Sequence, residues 1–205
     1  MNPSDEYEHE EEPEAALAKL DNYLCELKEM QIRNGLHVFG ESPVGSLRED
    51  LLVALTRIPR GTGDGGDASL IRALASDLNL DDFDPLDCEM AAPWCGPRPA
   101  ALANTELPWR TVGDTVERLE ALALSLVQGT TNIASDWTRT AAVLDKIRRH
   151  IAPSVDTSGD KEIGAVTSAL AGCFVLPGPS GAPTRGRLDV LPTGRNFYSV
   201  DNRAV

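Results

Sequence analysis

Apolar residues recur every three or four positions along this chain, and glycine or proline cuts each such run short. That spacing is the period of one face of a helix. No convincing alternation of strand type accompanies it, so the expected fold class is mainly α. Leu17, Leu20, Leu24 and Leu27 mark a first helix over about 13–34, opened by Pro13 and stopped at Asn34-Gly35. Leu36–Phe39 then leaves in an extended or irregular path ended by Gly40. A second helix is predicted from Ser46, with Ser46 and Glu49 as a capping box and Pro59 as its end. A third runs from Asp67, as cap, to about Asn79 on Leu70, Ile71, Leu74 and Leu78.

Prolines 93, 97, 99 and 108 exclude a continuous helix over 91–110, where Trp94 and Trp109 are expected to pin a loop onto the helices. Asp114 and Glu117 read as the cap pair of a helix reaching Gln128, with Gly129 as its stop. A further helix is expected from about Asp136 to His150, closed by Pro153, and a shorter one over about 161–171. The organisation predicted is an acidic, disordered segment at 1–14, a helical region at 15–175 and a Gly/Pro/Arg-rich loop region at 176–205.

Charge narrows the function. The net charge is −13, and seven acids without a Lys or Arg fall in residues 1–14, so −6 remains beyond them. An acidic chain lacks the basic face that phosphate backbones or anionic membranes require, and neither nucleic acid nor membrane is expected as a partner. The first residues do not read as the basic-then-apolar pattern of a secretory leader, and a cytoplasmic protein with reduced cysteines is expected. Cys88 and Cys95 have no zinc-knuckle spacing, and Cys25 falls in an apolar stripe. His9, His37 and His150 form no metal-binding pair; His37 lies near Glu41, too small a set for a metal site. No metal-binding residue is assigned. Residues 61–66, GTGDGG, match a dinucleotide-binding string, but a helix and Pro59 precede them where a strand is needed, so they read as a loop. A P-loop is absent.

The dense feature is the C-terminal stretch, where Arg185, Arg187 and Arg195 fall among glycines. Glycine lets backbone approach a ligand closely, and arginine presents a planar fork to carboxylates. The same arginines would equally suit pairing with the chain's own acids.

The run PGPSGAPTRGRLDVLPTGRNFYSVD (Pro177–Asp201) resembles the signature of the cobaltochelatase large-subunit family, the CobN type. So do LDNYLCELKEMQIRNGLHVFGESP (Leu20–Pro43), DASLIRALA (Asp67–Ala75), APWCGPRPAAL (Ala92–Leu102) and TVGDTVERLEALAL (Thr111–Leu124). The LPTGRN core is also similar to the large subunit of magnesium chelatase. The resemblance implies a helical segment of a large multidomain chelatase subunit. Members bind the corrin precursor hydrogenobyrinic acid a,c-diamide and insert Co2+, their metal substrate, in aerobic cobalamin biosynthesis. Two smaller AAA+-type subunits hydrolyse the ATP, which agrees with the missing P-loop. Arg185, Arg187, Arg195 and Asn196 become the candidate substrate-binding residues; a catalytic base is not assigned, because the family's THGALE-type motif is absent. Family members are several times longer, so the chain is expected to be an internal fragment, inactive alone. The alternatives are a non-catalytic helical interaction module of the same ancestry and magnesium-chelatase-like metal insertion into a porphyrin.

Overall fold

The computed structural model describes residues 37–59, 69–80, 82–103, 108–179, 183 and 188–198. The expected 1–14 segment, the 13–34 helix, the Asp67 cap, the GTGDGG loop, Cys25, Arg185 and Arg187 lie outside them. The expected mainly helical fold is what forms. In chain order the main helices are α1 (Ser46–Arg57), α2 (Leu70–Asp77), α3 (Val112–Gln128), α4 (Thr138–Lys146), α5 (Ala152–Asp156) and α6 (Ser158–Leu170). Leu52 and Leu55 of α1, Leu70, Ile71 and Leu74 of α2, Leu119 and Leu126 of α3 and Leu144 of α4 form one core with Leu102. Leu70, Ile71 and Leu74 are residues of the predicted stripe, whereas Leu102 comes from the 91–110 loop. Each buried leucine contributes on the order of 1.5–3 kcal/mol, which is why three-and-four spacing dictates the arrangement.

The helix starts differ from expectation in an instructive way. Ser46 makes no cap: it is already the first helical residue, Gly45 holds the cap position, and no side chain caps α1. Ser69 caps α2, its Oγ accepting from the Arg72 N–H and donating to the Arg57 carbonyl. Asp114 belongs to a capping box, but as its third helical residue. Thr111 is the cap and accepts from the Asp114 N–H, while the Asp114 carboxylate accepts from the Thr111 N–H at 2.9 Å. Asp136 does not start α4. The free N–H groups of Arg139 and Thr140 are taken by Asp77, at the end of α2, a partner 62 or 63 residues away that no local pattern reveals. Gly129 ends α3 in the left-handed conformation, as expected.

Pro153 does not close the helix. The chain widens into a π turn over Ile147–Ile151, and the Ala152 N–H donates to the Ile147 carbonyl five residues back. That shift re-registers the ladder just before a residue that has no N–H to offer. The helical path therefore passes from α4 through α5 to α6, which starts at Ser158, earlier than the predicted 161.

The described parts of the 91–110 loop are pinned as expected. Trp94 meets Phe83 edge-on at 5.1 Å between ring centroids, and the Trp109 indole N–H donates to Thr115 Oγ1 at 2.8 Å with the buried Arg118 over its ring. Contrary to expectation, two short strands form: β1 (Pro177–Pro179) pairs in parallel with β2 (Asn196–Tyr198). Three residues, two of them proline, are too few to show alternation.

Arg48 of α1 grips Asp156 of α5 with both ends of its guanidinium, at 2.5 and 2.8 Å. The hydrogen bond from Arg48 holds the Asp156 carboxyl below its ordinary range. A folded-state value below the unfolded one, about 3.9, stabilises the fold at higher pH. That stabilisation fades as pH falls through the folded value. The pair is partly exposed, so its contribution is below about 1 kcal/mol. Asp156→Asn is expected to remove a small acid-side slope from the pH–stability curve, read by urea unfolding between neutral pH and pH ~3; an unchanged slope would refute the linkage.

Candidate functional site

The start of α6 is where distant parts of the sequence meet. Glu162, 4% exposed, projects from its first turns. Its carboxylate accepts from the Gly40 N–H at 2.7 Å and from the Thr193 hydroxyl, and lies 2.9 Å from His37 Nε2. A buried carboxylate is costly unless it is paired, and here three donors from two other segments surround it. Ser158, one turn earlier, accepts from the Thr193 N–H at 3.2 Å, and Ser42 Oγ accepts from the Gly159 N–H at 3.0 Å. The 37–42 segment and the Leu191–Asn196 turn are thus both fastened to one helix.

Two glycines make the approach possible. A Cβ on Gly159 would lie 2.7 Å from the Gly40 carbonyl oxygen. Gly194 has φ 85°, and a Cβ there would lie 2.4–2.5 Å from the Lys161 and Glu162 backbone. Backbone sits on backbone, and residue 195 is set beside Lys161.

The Arg195 stem lies over Gly178, where a Cβ would come within 2.3 Å of the Arg195 Cδ. Arg195 Nη2 donates to the Leu191 carbonyl at 3.3 Å, and the side chain is otherwise exposed. Asn196 is exposed, and its backbone N–H donates to the Leu176 carbonyl at 3.0 Å. Arg195 lines an open cavity of about 470 Å³ with Lys161, Leu176, Pro177, Pro192, Thr193 and Gly194. This size lies in the range of small-molecule sites.

Of the four sequence-predicted site residues, the structure brings Arg195 to the cavity and Asn196 next to it in the chain, while Arg185 and Arg187 lie outside the described residues. His37 pairs with Glu162 rather than forming a site with Glu41. Among the described residues, no three His, Cys, Asp or Glu side chains group as metal ligands, and no helix is long and apolar enough to cross a membrane. Ser158, Lys161 and Glu162 were invisible to sequence reasoning. Their one signal is the pairing of small residues, Ser158-Gly159 and Thr193-Gly194, which is what close backbone approach requires.

The described residues thus form a helical segment with Arg195 on a turn at the edge of a cavity. The chain belongs to the CobN/magnesium chelatase family, whose family model matches residues 2–205. It is 55% identical over 208 residues to the aerobic cobaltochelatase subunit CobN of Sinorhizobium sp, a match covering 93% of this chain and 16% of that protein. The corresponding subunit of Pseudomonas aeruginosa is 54% identical over 197 residues, with 94% and 16% covered. The structure of the catalytic subunit of cobaltochelatase from Mycobacterium tuberculosis superposes with a TM-score of 0.57 at 30% identity, covering 92% of this chain and 15% of that one. The chain therefore corresponds to a segment of these relatives, spanning 15–16% of their length.

Proposed function

We propose that this segment serves a cytoplasmic, ATP-dependent cobaltochelatase large subunit, which inserts Co2+ into hydrogenobyrinic acid a,c-diamide while two smaller AAA+-type partners hydrolyse the ATP. The observation that carries the reading is the Arg195 side chain at a cavity edge, on a turn fastened to α6 at Thr193 and Gly194. A guanidinium fork suits the carboxylates of the corrin precursor, and the Asn196 amide can pair with its amides. Arg185 and Arg187 are proposed to act with them. The helices are the scaffold that fixes this turn, and holding the macrocycle in one orientation is a direct contribution to metal insertion. The 54–55% identity to two cobaltochelatase subunits supports cobalt and a corrin over magnesium and a porphyrin.

Arg195→Ala, made in the full-length subunit, is expected to weaken corrinoid binding about tenfold, the worth of one charge-assisted hydrogen bond. Binding is read by quenching of the corrinoid's fluorescence, and metal insertion by absorbance with the AAA+ partners and ATP present. Unchanged binding and insertion would overturn the site.

A second reading, a helical interaction module without catalysis, draws on the exposed Ile163, Val166 and Leu170, which lie along one face of α6. Capture of the AAA+ partners by the 205-residue chain, with Arg195→Ala inert toward the corrinoid, would favour it.

A further inference from the structure

We infer that Lys161 is a second binding cation of the Arg195 cavity, taking one carboxylate of the ligand while Arg195 takes another. This rests on the cavity being the ligand site proposed above. The Lys161 backbone is the surface against which Gly194 packs, so the contact that fixes the turn also fixes Lys161 beside residue 195. Both side chains are exposed, and both line the cavity.

The lining is informative in what it combines. Among the described residues, its only charged ones are these two cations, in a chain whose net charge is −13. Among the described residues, no carboxylate forms a salt bridge with either one. Of the two acids that flank Lys161 in sequence, Asp160 is exposed and forms no salt bridge with it, and Glu162 is consumed by Gly40, Thr193 and His37. The cavity thus gathers, among the described residues, two cations that no carboxylate pairs with in a salt bridge. Most of the remaining wall is apolar: Leu176 is 72% exposed, Pro177 and Pro192 stand with it, and the Thr193 hydroxyl is engaged by Glu162. A small inorganic anion would use the cations and leave that wall wet. A flat apolar body lying on Leu176 and the two prolines, with acidic arms reaching Lys161 and Arg195, uses all of it.

The test uses the full-length subunit and two probes, hydrogenobyrinic acid a,c-diamide and its fully esterified form, which keeps the ring but has no free carboxylate. Lys161→Ala is expected to weaken binding of the acid about tenfold and binding of the ester less than twofold. Lys161→Arg is expected to retain binding of the acid. The slope of log affinity against log salt should become shallower in Lys161→Ala. If Arg195→Ala weakens the acid and Lys161→Ala does not, the role of Lys161 falls while the site stands. Equal weakening of acid and ester makes Lys161 structural and also overturns the inference. If neither substitution affects the acid, the ligand site itself is wrong. Loss of acid binding to competing inorganic phosphate at equal concentration would replace the flat polycarboxylate with a small anion.

Discussion

Gly194→Ala detaches the Leu191–Asn196 turn from α6. At φ 85° an alanine is already strained, by about 1–2 kcal/mol. Its Cβ would in addition lie 2.4–2.5 Å from the carbonyl carbon and oxygen of Lys161 and the amide nitrogen of Glu162. These are backbone atoms of a helix, and no rotamer change moves them. Forcing such an overlap costs on the order of 1–3 kcal/mol. The expected total is about 2–5 kcal/mol, unless the turn lifts away and relinquishes the two Thr193 bonds instead. The control is Gly172→Ala. It also has positive φ, at 73°, but its added Cβ meets nothing within 4 Å, so only the conformational part applies. Denaturant unfolding and hydrogen exchange at the Thr193 amide measure both. A Gly194→Ala chain that loses no more than Gly172→Ala, with Thr193 still protected, would refute the packing argument.

What the sequence made legible follows from the range over which each interaction acts. Leu70, Ile71 and Leu74 were readable because a helix folds its own sequence into a stripe, and burial follows the stripe. The Gly129 stop was readable for the same reason. Caps were less so: Ser46 stands one residue past the cap position of α1, and Asp114 stands three past that of α3, where Thr111 is the cap. The Asp77 cap on α4 and the Glu162 clamp were not readable, since each joins residues remote in sequence. Glu162 looks like any solvent-facing acid of an amphipathic helix until Thr193 and Gly40 are laid over it. Pro153 misled because a proline ends a helix only when the ladder cannot re-register, and here the π turn does so. Arg195 was picked out from its glycine-rich surroundings and the family resemblance; its neighbour in space, Lys161, had no such context.

Glu162→Ala is expected to destabilise the chain by about 3–5 kcal/mol, as loss of one partner from a buried charged cluster does. The Gly40 N–H is left facing a void, and Thr193 and His37 lose their common partner. Glu162→Gln should be far milder, at about 1 kcal/mol, for a reason specific to the three groups involved. A backbone N–H can only donate, so the glutamine must turn its carbonyl oxygen to Gly40. Its NH2 then faces a hydroxyl and an imidazole nitrogen, and both of these can accept as well as donate. The order Ala much worse than Gln therefore reports on reversible partners, whereas a carboxylate retained mainly for its charge would make the two substitutions comparable. Thr193→Val supplies the independent check. Combined with Glu162→Ala, it should add much less than it costs alone, because both delete the same bond. Strict additivity in denaturant unfolding would mean that the Thr193–Glu162 contact does not hold the Arg195 turn on α6.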